Sequence, residues 1–226
     1  MMLRRRNLIA QKTDYSLDSY VNDSAIIWLD GIENTRKGHN AEAAEWEDLA
    51  GPYNFTKTNS FSFGDNYILA TGGIESKYGI KVPAEYTLEI VYQYTGSTNY
   101  GIGLMGIAPM FRGRKSTVSW WARQNPDSSD ASRLYYDSTF DINGLNSIAI
   151  TQNAGGGKSY CNGIMKKKNA NVYTNNNYQK VCNYTESEVM TGKIYAIRLY
   201  SRALTDAELA HNFAVDKARF GIKEVS

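Results

Sequence analysis

Alternating apolar and polar positions are the clearest pattern in this chain. Every second residue from Tyr86 to Tyr94 is aromatic or aliphatic, whereas Thr87, Glu89 and Gln93 occupy the other face of an extended segment. A period of two predicts a β-strand with one buried face. Similar runs predict strands at Ala25–Leu29, Tyr67–Ala70, Thr117–Ala122, Arg133–Tyr136, Ser147–Gln152, Lys158–Cys161 and Lys193–Tyr200.

Segments rich in Gly, Asn, Asp and Ser separate these runs and predict turns. Asn162-Gly163 favours a type I′ hairpin, because both central residues of that turn need positive φ. Between Lys166 and Asn177 the alternation is weak, so we expect an excursion at the rim of the fold. The many strands and few helices predict an all-β fold in which two antiparallel sheets pack as a sandwich.

The end of the chain predicts a helix. Thr205 can accept a hydrogen bond from the N–H of Glu208, and the Glu208 carboxylate can accept one from the N–H of Thr205, which makes a capping box. Leu204 and Leu209 flank the box as a hydrophobic staple. Gly221 suits the left-handed conformation that ends many helices. We therefore expect a short amphipathic helix that docks through Leu209, Phe213 and Phe220.

The length and the charge of the chain exclude several classes of protein. At 226 residues the chain fits a single sandwich domain. Its net charge of +2 gives no whole-chain electrostatic argument for nucleic acid or an anionic membrane, so neither partner is expected. No segment has the roughly 20 apolar residues of a transmembrane helix. The apolar stretch 7–10 is shorter than the core of roughly 7–15 residues that a signal peptide needs, so we expect no signal peptide.

The first 24 residues differ from the rest of the chain. Arg4, Arg5 and Arg6 open a polar segment without sustained apolar periodicity, and the globular pattern starts at Ala25. We therefore divide the chain into a basic N-terminal arm, residues 1–24, and a sandwich domain, residues 25–226. The arm is either a frayed terminus or a tether into a larger assembly.

Two sequence motifs are candidates for catalysis, but the residues around each of them do not fit the chemistry. Gly101–Gly106 reads GxGxxG, but Pro109 and Gly113 leave no helix to receive a pyrophosphate. Glu45 and Glu47 share one side of an extended segment, yet the run of strand carboxylates that would suit a glycoside hydrolase is absent. The sequence therefore predicts a protein that is not an enzyme.

The sequence also contains no motif for metal binding or for thiol chemistry. His39 and His211 are isolated, and Cys161 and Cys182 lack a CxxC or metal-ligand spacing. The cysteines are either buried thiols or a disulfide between neighbouring strands. We expect no cofactor, and no motif supports calcium.

Aromatic residues are the best candidates for binding. In a strand, Trp120 and Trp121 point to opposite faces, so one of the two indoles can lie on an exposed sheet surface and stack on the C–H face of a sugar. Packing within the sheet is the alternative explanation for each aromatic side chain. The candidate residues for one glycan surface are Trp120, Trp121, Arg123, Tyr100, Tyr135 and Tyr136.

Three parts of the chain resemble the concanavalin A-like lectin/glucanase family in its laminin-G-like form. They are the opening Ile27–Thr35 with Trp46–Gly51, the aromatic-x-Asn-Gly hairpin Tyr160–Gly163, and the strand and helix of Gly192–Asn212. The resemblance covers residues 25–221 and implies a jelly-roll sandwich that binds carbohydrate or protein. The opening, the basic start and the ending Asp216–Gly221 also resemble structural proteins of phages and prophages.

Three functions follow from this resemblance. The leading hypothesis is a non-enzymatic virion protein (a fibre, decoration or tail-associated component) that is made in the bacterial cytoplasm and binds other virion proteins or a cell-surface glycan. Its arm would be the anchor, and a homo-oligomer is the expected state. The alternative is a stand-alone carbohydrate-binding lectin. A glycoside hydrolase is the third, with Glu45 and Glu47 as the carboxylates to test.

Overall fold

The structure is a computed structural model that describes residues 16–57, 59–96, 101–103, 110–114, 119–123, 133–135, 141, 143–172, 177–181, 183–185, 188–189 and 191–223. In the segments between 101 and 135 and between 177 and 189, the description covers the backbone and the side chains of Phe111 and Leu134. The described residues form an all-β sandwich with one C-terminal helix, as the sequence predicts.

The described part of the chain contains the following strands, in chain order. They are β1 (Ala25–Asp30), β2 (Glu45–Trp46), β3 (Phe55–Thr56), β4 (Phe61–Phe63), β5 (Ile68–Ala70), β6 (Ile74–Lys81), β7 (Tyr86–Tyr94), β8 (Gly101–Gly103), β9 (Met110–Arg114), β10 (Ser119–Arg123), β11 (Arg133–Tyr135), β12 (Leu145–Asn153), β13 (Gly156–Cys161), β14 (Ile164–Asn169), β15 (Asn177–Val181), β16 (Asn183–Thr185), β17 (Glu188–Val189) and β18 (Gly192–Tyr200). A 3₁₀ turn, Leu17–Ser19, precedes β1, and helix α1 (Asp206–Phe220) follows β18.

One large antiparallel sheet forms a layer of the sandwich. Its strand order is β14-β13-β12-β7-β18-β5-β4, and β1 also pairs with β18. Two four-stranded sheets, β11-β10-β9-β8 and β15-β6-β3-β2, form the opposite layer, while β16 and β17 pair separately. The main core lies between the layers, where Leu88, Ile90 and Leu199 of the large sheet share one buried cluster with Trp46 and Phe55.

Strand β7 is buried on both faces, which corrects the expectation of a half-buried strand. Its alternate residues from Tyr86 to Tyr94 face the main core, as predicted. Thr87, Glu89 and Val91 on the other face are also buried, with exposures of 0%, 2% and 0%. Helix α1 supplies the cover on that side, since Phe220 packs with Val91 and Asn212 bonds to Glu89.

Helix α1 begins and ends as the sequence predicts. The Thr205 hydroxyl accepts from the N–H of Glu208 at 3.2 Å, and the Glu208 carboxylate accepts from the N–H of Thr205 at 2.7 Å. Leu204 and Leu209 lie in one buried cluster, and Gly221 ends the helix at φ 74°. These contacts set the angle at which β18 leads into the helix.

The Asn162-Gly163 turn also agrees with its prediction, with φ angles of 50° and 75°. The expected excursion is wrong for residues 166–169, because β14 continues the hairpin and pairs with β13 through residue Asn169. Residues 170–172 lie outside the strands, and residues 173–176 lie outside the described residues. β14 lies at the edge of the large sheet, and its side chains are exposed or half-buried, so no apolar alternation is required of it. A lysine-rich segment without apolar alternation therefore forms a strand that the sequence pattern does not predict.

A buried ionic network joins the outer face of the large sheet to α1. The Arg198 guanidinium donates from Nε to Glu89 at 3.0 Å and from its two terminal nitrogens to the Asp216 carboxylate at 2.8 and 2.6 Å. Tyr20 donates to Asp216 at 2.8 Å, and Asn212 donates to Glu89 at 2.9 Å. A polar layer, as well as apolar packing, thus fixes the helix on the sheet.

Partners and burial decide the charges of this network. Burial alone would lower the pKa of Arg198, but the carboxylates of Asp216 and Glu89 raise it well above the ordinary value. Burial raises the pKa of Glu89 in spite of the opposing effect of Arg198. Burial, and after it the nearby Asp216 carboxylate, raises the pKa of Tyr20, so the phenol remains a donor.

Residues 16–24, assigned to the arm from the sequence, contact the domain. Tyr20 is 4% exposed and packs edge-on against Trp28, and the N–H of Val21 donates to Asn212 at 3.0 Å. Arg4, Arg5 and Arg6 lie outside the described residues. Within the described ranges, no helix has the length and apolarity that crossing a membrane requires.

Candidate functional site

A polar groove of about 420 Å³ lies beside the sheet that contains β2, β3 and β6. The connection between β1 and β2 supplies Arg36, β2 supplies Glu45, and the loop that follows supplies Gly51, Pro52 and Asn54. Tyr78 of β6 completes the lining. Three short segments of the chain therefore build the groove, and each is held by hydrogen bonds that the sequence alone does not reveal.

Buried Asp48 organises the loop between β2 and β3. One carboxylate oxygen accepts from the N–H groups of Trp28 and Ala50 at 2.9 and 3.0 Å, and the other accepts from Tyr53 N–H at 3.1 Å. A Cβ at Gly51 would lie 2.9 Å from the second oxygen, so the loop passes too close for any larger residue. The loop therefore presents a defined backbone to the groove.

Arg36 lies across this loop. Its Nη2 donates to the carbonyl oxygens of Asp48 and Gly51, both at 2.6 Å, and its own N–H donates to Glu47 at 2.7 Å. A guanidinium has five N–H groups, of which these bonds use the two on Nη2. Arg36 is exposed, so the N–H groups on Nε and Nη1 are available to a ligand.

Glu45 and Asn54 form the acceptor side of the groove. The Asn54 amide donates to Glu45 Oε2 at 2.7 Å, while its oxygen accepts from the N–H of Asp48 at 3.0 Å. Asn54 is thereby fixed at both ends, and it holds the Glu45 carboxylate in place. Glu45 Oε1 accepts no hydrogen bond from the described residues and can accept one from a ligand.

Tyr78 owes its exposure to a bulge in β6. In the pairing of β15 with β6, Tyr178 lies opposite Ile80 and Lys180 lies opposite Glu75, so Gln179 alone spans residues 76–79. Bulges of this kind re-aim side chains and are common beside functional sites. Tyr78 is 51% exposed, although the alternation of the strand would place it in line with buried Ile80.

The groove combines an aromatic surface with a fixed donor and a fixed acceptor. A sugar presents an apolar C–H face together with hydroxyl groups that both donate and accept. The Tyr78 ring suits the first, while the Arg36 guanidinium and the Glu45 carboxylate suit the second. Arg36 and Glu45 are its two charged residues and carry opposite charges, so the lining matches a neutral polar ligand.

The sequence-predicted glycan surface lies on a different sheet. Trp120, Trp121 and Arg123 belong to β10, and Tyr135 belongs to β11, where it pairs directly with Trp121. The backbone of these four residues is described, and their side chains lie outside the description. Tyr100 and Tyr136 lie outside the described residues. The predicted aromatic surface thus stays a prediction.

The other sequence motifs have structural roles. Gly101–Gly103 forms β8, which pairs with β9, and the rest of the GxGxxG segment, residues 104–106, lies outside the described residues. Glu45 and Glu47 each accept a structural hydrogen bond, from Asn54 and from Arg36 respectively. Among the described residues, no three His, Cys, Asp or Glu side chains gather as metal ligands would.

Sequence reasoning singled out Glu45 but missed Arg36 and Tyr78. Arg36 is held in place by hydrogen bonds to two backbone carbonyl groups, and such bonds cannot be predicted from the sequence. The one available signal for Tyr78 was the polar and glycine-containing segment 76–79, which interrupts the alternation of β6.

Comparisons with known proteins find solved structures of similar fold. No protein-family model matches the chain, and no curated protein matches it. Trypanosoma rangeli sialidase is similar in structure, with a TM-score of 0.65 at 12% identity over 88% of this chain. The match covers 34% of the sialidase, so the chain spans about a third of that enzyme's length.

Two smaller proteins are also similar. Domain 4 of AbnA, a GH43 extracellular arabinanase from Geobacillus stearothermophilus solved in complex with arabinotriose, has a TM-score of 0.55 at 16% identity, over 84% of this chain and 98% of that domain. A heptameric SAP-like pentraxin from Limulus polyphemus has a TM-score of 0.50 at 11% identity, over 62% of this chain and 74% of its own. At such identities the likeness establishes the β-sandwich fold.

Proposed function

We propose that this chain is a carbohydrate-binding domain and that the groove around Tyr78 is its binding site for a neutral sugar. The observation that carries the proposal is that an exposed Tyr78 ring lines the same groove as a fixed guanidinium and a fixed carboxylate. The structural likeness to an arabinanase domain solved with arabinotriose supports a neutral oligosaccharide as the ligand, and the likeness to a sialidase supports carbohydrate binding in general.

The groove favours binding over hydrolysis. Each candidate carboxylate already holds a loop, since Glu45 accepts from Asn54 and Glu47 accepts from Arg36. A general acid or base must be able to change its protonation state and its partners during the reaction. The hydrolase alternative predicts release of sugar from β-glucans that Glu45→Gln or Glu47→Gln abolishes. Release that is unchanged in both variants would remove this carboxylate pair from consideration.

The experiment is a glycan array followed by calorimetric titration of the strongest neutral oligosaccharide, with arabinotriose included from the start. Tyr78→Ala removes the aromatic surface and should weaken binding about tenfold, as expected for loss of one aromatic contact at the centre of a site. Tyr78→Phe keeps the ring and is the matched control, so it should bind nearly as tightly as the wild type.

Unchanged thermal stability of Tyr78→Ala shows that any loss of affinity is local, because the side chain is half exposed. Equal affinity of Tyr78→Ala and the wild type would exclude the groove as the binding site. Binding that depended instead on Trp120 or Trp121 would favour the aromatic surface predicted from the sequence. An array on which no glycan binds would exclude the carbohydrate-binding function itself.

A virion location is a more specific proposal that rests on the sequence resemblance. It combines a homo-oligomer with anchoring through Arg4, Arg5 and Arg6, and it is compatible with a glycan-binding sandwich on the particle surface. Deletion of residues 1–15 should then abolish the oligomer measured by light scattering and leave glycan affinity unchanged. A monomeric wild-type chain would contradict the tether, and the arm would then be a frayed terminus.

A further inference from the structure

The polar side of the Tyr78 groove contains one cation, Arg36, and one anion, Glu45. A guanidinium suits the carboxylate of an acidic sugar, whereas a guanidinium and a carboxylate together suit the hydroxyl groups of a neutral sugar. The ligand that the groove prefers therefore depends on how each of the two charges is already bonded within the protein.

Arg36 lacks the paired donors that a carboxylate binds most strongly. A guanidinium offers a carboxylate two parallel N–H groups, either one from each terminal nitrogen or one from Nε and one from Nη2. Both arrangements need an N–H of Nη2, and Nη2 already donates to the carbonyl oxygens of Asp48 and Gly51, each at 2.6 Å. The N–H groups that remain, on Nε and Nη1, act singly and suit hydroxyl groups.

Glu45 presents a carboxylate that is held in place. Its backbone belongs to β2, where it pairs with Thr56 of β3 and precedes fully buried Trp46. The Asn54 amide donates to Glu45 Oε2 at 2.7 Å, and the Asn54 oxygen accepts from the N–H of Asp48 at 3.0 Å. A carboxylate only accepts hydrogen bonds, so Glu45 can bind a sugar hydroxyl but repels a ligand carboxylate.

Two further carboxylates lie next to Arg36. Glu47 accepts from the backbone N–H of Arg36 at 2.7 Å, and the carboxylate of buried Asp48 holds the loop whose carbonyl groups bind the guanidinium. Lys37, the adjacent cation in the chain, is exposed and does not line the groove. These carboxylates offset the positive potential that Arg36 would otherwise present to an acidic ligand.

On the basis of the proposed function, we infer that Glu45 makes the groove selective, so that it binds neutral sugars and rejects sugars that carry a carboxylate. Glu45 gives a neutral sugar a charge-assisted hydrogen bond, and the same charge repels an acidic sugar. At a separation of about 4–5 Å beside solvent, this repulsion is worth about tenfold in affinity.

The test is calorimetric titration of the whole chain at low salt with two pairs of oligosaccharides. One pair is arabinotriose and its derivative with a carboxylate in place of the free primary hydroxyl group. The other is methyl-esterified trigalacturonate and trigalacturonate itself. In each pair the wild type should bind the neutral member about tenfold more tightly than the acidic member.

Glu45→Gln removes the charge and keeps an acceptor oxygen for Asn54. It should bind the acidic members about tenfold more tightly than the wild type does. Its affinity for the neutral members should change by about threefold at most, because the side chain can still form a hydrogen bond with a hydroxyl group. Adding Tyr78→Ala to this variant should abolish the gain, which would locate the gain in the groove.

Glu42→Gln is the matched control, because it removes the same charge from an exposed residue of the same connection, outside the lining. It should bind like the wild type. Equal affinity of the wild type for both members of each pair, an unchanged preference in Glu45→Gln, or an equal gain in Glu42→Gln would overturn the inference. Binding of neutral sugars that still depends on Tyr78 would in each case leave the proposed function intact. A wild type that binds neither neutral member would also overturn the inference, and the glycan array decides the proposed function separately.

Discussion

Replacing one carboxylate at a time around Arg198 tests how the buried charges are balanced. A single guanidinium, 0% exposed, faces the two carboxylates of Glu89 and Asp216. Asp216 forms a bidentate pair with Arg198 and also accepts from Tyr20 and Ser147, so all its hydrogen bonds are charge-assisted. Glu89 accepts a single bond from Arg198. We therefore expect Asp216→Asn to destabilise the fold far more than Glu89→Gln.

The expected magnitudes follow from the contacts. Asp216→Asn turns an amide group towards donors and leaves Arg198 without its bidentate partner. Breaking a buried ion pair costs about 3–5 kcal/mol, which corresponds to about 6–20 °C in Tm for a domain of this size. Glu89→Gln keeps an acceptor oxygen for Arg198 and Asn212, so its cost should be about 1 kcal/mol or less.

The pH dependence of Glu89→Gln has a defined sign. Burial raises the pKa of Glu89, so the folded chain holds this proton more tightly than the unfolded chain does. The free energy of unfolding of the wild type therefore falls as pH rises through the folded pKa. Gln cannot ionise, so the free energy of unfolding of Glu89→Gln should be highest relative to that of the wild type at pH 7. This relative free energy should fall as the pH is lowered to about 4.3, the pKa of glutamate in an unfolded chain.

Urea unfolding followed by tryptophan fluorescence measures both variants at pH 7 and pH 5, with buried Trp28 and Trp46 as reporters. The difference in the free energy of unfolding between the two variants is the decisive quantity. Equal losses for Asp216→Asn and Glu89→Gln, or a larger loss for Glu89→Gln, would refute the inference that Asp216 is the main partner of Arg198.

Two further predictions concern single side chains. The hydrogen bond from Arg202 lowers the pKa of Glu208 to about 2, so its ionised form stabilises the fold above pH 4.5 and this contribution is lost as pH falls towards 2. Urea unfolding should therefore find Glu208→Gln less stable than the wild type at pH 7 and equal to it near pH 2. A stability difference that stays constant between these pH values would contradict the assignment. Ser159 buries a hydroxyl that has no hydrogen-bond partner among the described residues, so Ser159→Ala should raise the free energy of unfolding by about 1 kcal/mol, and a loss of stability would reveal an unseen partner.

Local chemistry explains why much of the fold was predictable. The capping box of Thr205 and Glu208 and the Asn162-Gly163 turn depend on residues three or fewer positions apart, and both form as predicted. The alternation of β7 also identified its core face correctly. Its second buried face was not predictable, because Glu89 is covered by a helix that lies more than a hundred residues away in the chain.

The candidate site depends on register, which a single sequence does not specify. Tyr78 is exposed because β15 pairs with β6 on both sides of a bulge, and Arg36 is fixed by carbonyl groups of a distant loop. The sequence favoured Trp120 and Trp121 as binding residues instead, because two adjacent tryptophans in a predicted strand are conspicuous. The groove around Tyr78 is thus a second candidate surface, and the aromatic surface expected from the sequence stays a prediction.

The position of β18 has a consequence for how the chain is made. β18 pairs with β1, β5 and β7, so Leu29 meets Ile197 only after almost the whole domain has left the ribosome. Until then β7 presents an open edge that contains three tyrosines and three aliphatic residues, and such edges associate with other chains. Nascent chains of this protein should therefore depend on holding chaperones, and yields of folded protein should respond to the rate of translation.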